Sequence, residues 1–192
     1  LKLSALRQHL ALRLMALDMT QDEIRRSNIL FVSDYPVGEF LGGAVRVLYE
    51  QSAHLAERGH KVHILTRAEQ FNEGFNKIGN VQEWKYPVNN HNSLLFLQST
   101  FSNSRKTFES LSQKCAFHII NFHQPFSAAG ILSSRGSHTI PRVYTCFSFS
   151  FEEYASRTTA PTNLREKLIL GSQLLARKLV EKWVLEKSNH IV

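Results

Sequence analysis

Three places in the sequence carry residue types that could bind a ligand or take part in chemistry. Gly42 and Gly43 precede a helical pattern; the free N–H groups of a helix start attract anions, although paired glycines also serve simply to permit a tight turn. Asp34 follows an apolar run and could accept a hydrogen bond from a ligand hydroxyl or cap its own loop. His123 follows another apolar run, where a lone histidine could bind a hydroxyl or be structural.

These residues need a scaffold that brings them to one edge, and residues 28–67 predict its central unit. Residues 28–33 form an almost wholly apolar run, as in a strand covered by helices on both faces. An apolar stripe at helical spacing follows in residues 44–56, and Gly59 suits the end of that helix. Residues 60–66 predict the next strand. Because open α/β sheets bind ligands beyond the carboxyl ends of their strands, Gly42 and His123 are both expected at that edge.

The remaining patterns complete a doubly wound, mostly parallel α/β sheet of the Rossmann-like class. They predict strands at residues 81–88, 117–122 and 142–147, helices at 94–101, 106–111, 127–133 and 163–187, and an aromatic loop after residue 147. Pro87 should end the first of these strands. No linker or repeat interrupts the pattern, so residues 28–192 are predicted to form one domain.

Residues 1–27 stand apart as a predicted helical extension. Leucines recur there at three- and four-residue intervals with basic residues between them, which indicates an amphipathic helix. Such a helix could pack on the domain or on a further domain. It could also lie on an anionic bilayer, which would make the protein a peripheral membrane protein.

Composition favours an ordinary soluble fold with a basic surface. The chain has 192 residues, 43% of them hydrophobic and 20% charged, with a net charge of +7. No apolar run approaches the roughly 20 residues that span a bilayer, and Cys115 and Cys146 suit reduced core thiols, so we expect the cytoplasm. No nucleic-acid partner is expected, because neither a docking motif nor a stacking platform accompanies the charge.

Longer stretches of the sequence resemble one known family. Ser33-Asp34-Tyr35-Pro36, then Gly-Gly-Ala-Val-Arg at 42–46, and Leu-Ala-Glu-Arg-Gly-His-Lys-Val at 55–62 resemble the N-terminal half of GT-B glycosyltransferases, specifically the retaining enzymes of family 4. Residues 118–125, 141–145, 152–154 and 177–192 are similar to later segments of that half. The resemblance covers residues 28–192.

The resemblance implies a sugar transfer from a nucleotide-sugar donor to a glycan, lipid-linked or small-molecule acceptor. It implies an acceptor-side domain whose C-terminal, donor-binding partner, with its E-x7-E pair, is missing from this chain, so these residues alone should be inactive. Gly42, Gly43 and Arg46 are expected near the donor phosphate. Asp34, His123, Phe147, Glu153 and Tyr154 are expected on the acceptor side, although Glu153 and Tyr154 also suit a simple helix start.

No metal or other cofactor is expected. Asp18 and Asp22 precede the predicted domain, Asp34 is the sole aspartate within it, and no D-x-D sequence exists to hold a divalent cation. The resemblance instead implies that backbone dipoles and basic side chains stabilise the leaving phosphate.

Phe147 is the main departure from the family pattern. It stands where the family usually has a histidine close to the donor sugar and acceptor, and phenylalanine can neither donate a hydrogen bond nor shuttle a proton. The alternative is therefore a non-catalytic module that binds a glycan, a nucleotide or an anionic lipid. A nucleotide-dependent oxidoreductase is disfavoured, because the G-x-G-x-x-G fingerprint is absent and Thr66-Arg67 replaces the ribose-binding acid.

Overall fold

A computed structural model describes residues 26–37, 42–68 and 74–192. The predicted N-terminal helix therefore lies outside the described residues, apart from its last two positions.

The described residues build one seven-stranded sheet in the order β3-β4-β2-β1-β5-β6-β7. Its strands are β1 (Asn28–Val32), β2 (Lys61–Arg67), β3 (Gly74–Ile78), β4 (Val81–Tyr86), β5 (Ile119–Phe122), β6 (Arg142–Tyr144) and β7 (His190–Ile191). All neighbours are parallel except β3 and β4. The predicted doubly wound, mostly parallel sheet is confirmed.

Helices connect the parallel strands. They are α1 (Gly43–Glu57), α2 (Ser93–Lys114), α3 (Pro125–Leu132), α4 (Ser150–Arg157) and α5 (Leu164–Lys187), with a short 3-10 turn at Arg135–Ser137. Two apolar clusters form the core, and β1 contributes to both: Leu30 and Val32 belong to one, Ile29 and Phe31 to the other. The apolar run predicted for β1 thus reflects a central strand with packing on each face.

The unit predicted from residues 28–67 is confirmed. Helix α1 buries Val45, Leu48, Ser52 and Ala56 along one face. Gly59 follows the helix with a φ of 91°, a left-handed conformation that favours glycine. β1 then pairs in parallel with β2, with Leu30 opposite His63.

The structure differs from the sequence prediction at two places in the middle of the chain. Residues 94–101 and 106–111 are parts of one continuous helix, α2, because Thr100, Ser104 and Phe108 lie on a single buried face that crosses the polar segment between them. Strand β3 was not predicted, because it is an exposed edge strand whose residues lack an apolar alternation.

Other boundaries shift by a few residues. Helix α3 begins at Pro125, a residue pre-organised for the first turn of a helix. The strand predicted over residues 142–147 ends at Tyr144, and the predicted aromatic loop runs only to Phe149, because helix α4 starts at Ser150.

Helices α2 and α3 cross at Gly130. A Cβ atom at this position would lie 2.1 Å from Ser104 Oγ and 2.4 Å from the carbonyl oxygen of Phe101. Only a glycine allows the two helix backbones to approach this closely, and the contact fixes α3 against the sheet.

Helix α5 carries exposed apolar side chains. Leu164, Leu168, Leu175 and Leu179 recur at helical spacing, and each is more than half exposed. No helix within residues 26–37, 42–68 and 74–192 combines the length and apolar character needed to cross a membrane.

Candidate functional site

The crevice lies where the strand order reverses, between β1 and β5. The chain leaves β1 toward β2 and β4, and later leaves β5 toward β6, so the connections after β1 and β5 diverge at the carboxyl edge. His123 N–H donates to the Val32 carbonyl at 2.9 Å, and Asp34 N–H donates to Gln124 Oε1 at 2.9 Å. The turns that bear Asp34 and His123 are therefore joined along one rim.

His123 is buried in this crevice with no hydrogen-bond partner among the described residues. Its side chain is 5% exposed, and neither ring nitrogen is satisfied. The imidazole lies between two phenyl rings, with centroids 5.7 Å from Phe31 and 5.5 Å from Phe147. Burial lowers the pKa of His123 to about 4, so the ring is neutral near pH 7 and offers one donor and one acceptor.

Phe147 lies over His123 on the loop that follows β6. Its side chain is 43% exposed, so it borders the crevice while it covers the imidazole. Both ends of this loop are held by Glu181: Tyr144 OH donates to its carboxylate at 3.1 Å, and Ser150 N–H donates at 2.9 Å. Burial raises the pKa of Glu181, and these two donors oppose the rise.

Asp34 is committed to the start of α3. Its carboxylate accepts hydrogen bonds from Ser127 N–H at 3.0 Å and Ser127 Oγ at 2.6 Å. Asp34 thus caps a helix distant in sequence rather than its own loop, while the helix's own N-cap residue, Gln124, makes no side-chain cap. Burial raises the pKa of Asp34, and the Ser127 donors and Arg67 oppose this rise.

The start of α1 is open on the side of Gly43. Its N-cap, Gly42, provides no side-chain cap, and the first turn contains no acidic residue. Among the described atoms, none lies within 4 Å of a Cβ built on Gly43. The Arg46 side chain is 82% exposed and lies 3.9 Å from Glu50, so it runs along the helix surface.

Glu153 and Tyr154 lie on α4 at the wall of a pocket beside the Asp34 turn. Glu153 forms an ion pair with Arg157 at 2.5 Å and accepts a hydrogen bond from Ser148 Oγ at 3.3 Å. Tyr154 OH donates to the Gln173 side chain. The structure therefore brings these two residues near Asp34, while His123 and Phe147 form a separate cluster in the crevice.

Among the residues that the structure describes, no three histidine, cysteine, aspartate or glutamate side chains are grouped so that they could hold a metal ion. The site chemistry available from these residues is hydrogen bonding, a helix start and cationic side chains.

Comparison with known proteins decides the family. The profile of Glycosyltransferase Family 4 matches residues 41–192. The chain belongs to this family. Its sheet is accordingly one Rossmann-like half of a GT-B glycosyltransferase fold, as the sequence resemblance implies.

Solved structures agree with the family 4 fold. A sucrose-phosphate synthase from Thermosynechococcus elongatus superposes with a TM-score of 0.68 at 15% identity, over 86% of this chain and 42% of that chain. A second structure of that synthase gives a TM-score of 0.53 at 13% identity, over 85% of this chain and 74% of that chain. Identities this low support the fold alone. The family 4 chain spans less than half of the first synthase chain, and no curated protein matches it.

The sequence analysis did not assign three arginines that line the same pocket of this family 4 domain. They are Arg67 at the end of β2, Arg157 on α4 and Arg177 on α5. In the sequence, Arg67 hints only at an anionic ligand of unknown kind, and the other two sit in ordinary helical patterns. No local signal brings them together, because they meet only when α4 and α5 pack beside α3.

Proposed function

We propose that this domain forms the acceptor side of a retaining glycosyltransferase, which transfers a sugar from a nucleotide-sugar donor to an acceptor hydroxyl. The observation that supports it is His123, a buried, neutral imidazole whose two nitrogens lack partners among the described residues. A histidine with a purely structural role in the core would normally have hydrogen-bond partners. In a family 4 domain, an unpartnered imidazole beside the carboxyl edge of the sheet therefore indicates a site for a ligand.

The open start of α1 is proposed to hold the donor phosphates. The N–H groups near Gly42 and Gly43 and the dipole of α1 favour negative charge there, and Arg46 adds a cation one turn along. In the transfer, the bond between the anomeric carbon and the phosphate oxygen breaks. The acceptor oxygen bonds to that carbon, and the hydroxyl proton passes to the leaving phosphate. Backbone dipoles stabilise the phosphate in this scheme, without a metal ion.

His123 is proposed to orient a sugar hydroxyl rather than to carry charge. Because its pKa is about 4, the imidazole can donate one hydrogen bond and accept another at neutral pH without holding a net proton. Asp34 is proposed to act mainly by holding the start of α3 in position, since its carboxylate already accepts hydrogen bonds from both Ser127 donors.

The second candidate function is a non-catalytic binding module. The observation that favours it is the Phe147 ring, which lies 5.5 Å from the His123 ring and presents only an apolar surface where the family usually has a histidine. A glycan, a nucleotide or an anionic lipid could bind in the crevice without reaction.

The experiment uses the natural full-length protein, incubated with a panel of nucleotide sugars, with and without candidate acceptors. We expect nucleotide release, and we expect His123→Gln to lower kcat/KM roughly tenfold or more because a buried hydrogen bond to the substrate is lost. His54→Gln is the matched control, since His54 is an exposed histidine in the last turn of α1, at the end of the helix opposite Gly43. If neither wild type nor Phe147→His releases nucleotide from any donor, the enzymatic proposal fails and the binding module remains.

A further inference from the structure

Two adjoining cavities lie beside the crevice. The smaller has a volume of about 130 Å³, and its lining includes Arg67, Arg157 and Arg177; we refer to it as the arginine pocket. The larger, of about 540 Å³, runs between the start of α2 and the middle of α5. The two share Phe96, Phe126, Tyr154 and Arg177 in their walls, so they form one continuous depression.

Aromatic rings hold two of the guanidinium groups in place. Arg67 lies 4.7 Å from the ring centroid of Tyr35, and Arg177 lies 4.0 Å from that of Tyr154 and 4.9 Å from that of Phe126. A guanidinium over the face of a ring is attracted by the ring without committing its N–H donors to a hydrogen bond. The stacking therefore fixes these cations while leaving their donors available.

The carboxylates nearby do not neutralise these two arginines. Among the described residues, neither Arg67 nor Arg177 forms an ion pair or a side-chain hydrogen bond to a carboxylate. Asp34 is turned toward Ser127, and Glu153 is paired with Arg157. Burial lowers the pKa of Arg177, which indicates that part of its hydration has been lost. Arg177 is thus a half-buried cation with free N–H donors, and a bound anion would stabilise it.

We propose that the arginine pocket binds a phosphate group carried by the acceptor, and that the larger cavity holds the rest of that acceptor molecule. This inference rests on the proposed function, because it names the class of acceptor for the same crevice. Gln124 connects the two regions: it follows His123 directly in the chain and lines the arginine pocket. A phosphate bound there would place the neighbouring part of its molecule beside the His123 turn.

The chemistry of the two cavities fits such a molecule. Arginine forks match the oxygen geometry of phosphate, and guanidinium groups from three separate elements can engage several phosphate oxygens at once. The larger cavity combines amide side chains with apolar ones, including Asn90, Asn92, Leu97 and Gln173. Side-chain amides can bond hydroxyl groups while the apolar walls cover carbon–hydrogen faces.

The test is equilibrium binding to the 192-residue chain without any donor, so its outcome is independent of transfer activity. Glucose 6-phosphate and unphosphorylated glucose are titrated in parallel by calorimetry. We expect the phosphate to bind and glucose to bind at least tenfold more weakly, because hydrogen bonds to a charged group contribute most of the affinity. We expect Arg67→Gln and Arg177→Gln each to weaken phosphate binding roughly tenfold.

Three further variants make the test specific. Arg165→Gln is the matched control, because Arg165 is an exposed arginine on α5 outside both cavities, and it should leave binding unchanged. Arg157→Gln replaces a side chain that is 65% exposed, so it reports on the pocket even if Arg177→Gln unfolds. Glu153→Gln should tighten phosphate binding a few-fold, because it removes a negative charge from the rim.

Vesicles distinguish two sources of the phosphate. If the phosphate belongs to a lipid headgroup, phosphatidylglycerol vesicles will co-sediment more of the wild type than of Arg67→Gln or Arg177→Gln, whether or not residues 1–27 also contact the bilayer. Phosphatidylcholine vesicles will co-sediment less of the wild type. If it belongs to a soluble sugar, only glucose 6-phosphate will show the arginine dependence. The proposal is overturned if glucose 6-phosphate binds no more tightly than glucose while both bind measurably, if Arg165→Gln weakens binding as much as Arg177→Gln, or if neither glucose 6-phosphate nor phosphatidylglycerol shows arginine dependence.

Discussion

The state of His123 determines what this crevice can do at a given pH. The ring is enclosed by Phe31 and Phe147, and its nitrogens meet no partner among the described residues, so protonation would place a charge in an apolar enclosure. A neutral imidazole here is a hydrogen-bonding group rather than a general acid at physiological pH.

The first prediction is that His123 makes folding stability sensitive to acid. Its folded pKa of about 4 lies below its unfolded value of 6.5, so between these values the unfolded state binds more protons. Stability should therefore fall as the pH drops from about 6.5 and level off below about 4. Relative to His123→Phe, which fills the same space without titrating, the wild type should lose about 2 kcal/mol between about pH 7 and about pH 4.5.

Urea unfolding of both proteins at both pH values measures this difference, and the other titrating groups cancel because they are common to the pair. If the wild type and His123→Phe lost the same stability in acid, the lowered pKa of His123 in the folded state would be contradicted.

The second prediction concerns Asp34 as a helix cap. Asp34→Ala should lower the free energy of unfolding by about 2 kcal/mol, since it removes the acceptor of both Ser127 donors at the buried start of α3. Asp34→Asn keeps one acceptor oxygen and should cost less than half as much. Chemical denaturation of the two variants compares them, and an equally large loss in Asp34→Asn would show that negative charge, not capping, is what matters.

At the scale of the elements, the strands follow from the sequence more directly than the helices do. Strand β1 is an almost wholly apolar run, so its burial on both faces is readable locally, while His63 interrupts the apolar run of β2 and Asn121 that of β5. The sequence does not show that α2 is one continuous helix, because Ser104 at its midpoint is polar and becomes a core residue only through the crossing with α3.

Of the candidate site, too, only one part could be predicted from the sequence. Asp34 and His123 follow apolar strands, and topology alone places them at one edge, so their position could be predicted from the sequence. The arginine pocket could not, because Arg67, Arg157 and Arg177 are far apart in the chain and their convergence depends on how α4 and α5 pack.

The third prediction tests the helix crossing. Gly130→Ala should destabilise the fold by roughly 2 kcal/mol or more, because the new methyl group would overlap a backbone carbonyl of α2. Gly171→Ala is the matched control: Gly171 lies within α5 with no described atom within 4 Å of an added Cβ, so it should be neutral or stabilising by up to about 1 kcal/mol. Thermal unfolding compares the two, and a stable Gly130→Ala protein would contradict the close approach.

At the scale of the whole molecule, the described residues supply both sides of the core. Among the described residues, the two apolar clusters begin at Ile29, and they cover the two faces of β1.

The fourth prediction is that a chain beginning at Arg26 folds by itself. It should unfold cooperatively, with a midpoint close to that of the 192-residue chain, because the apolar contacts of both core clusters are retained. Circular dichroism during heating measures this, and an insoluble or non-cooperative product would show that residues 1–25 belong to the core. Sedimentation of both chains with anionic vesicles separately tests the predicted membrane contact of the amphipathic extension.

The double attachment of the Phe147 loop has an evolutionary consequence. One carboxylate, Glu181, secures Tyr144 before the loop and Ser150 after it, and the three residues at the loop's tip, 147–149, are exposed and lie outside the core of the scaffold. Mutations in that short stretch can accumulate without unfolding the protein. Relatives could thus exchange this segment as a cassette and acquire new substrate preferences while inheriting the same framework.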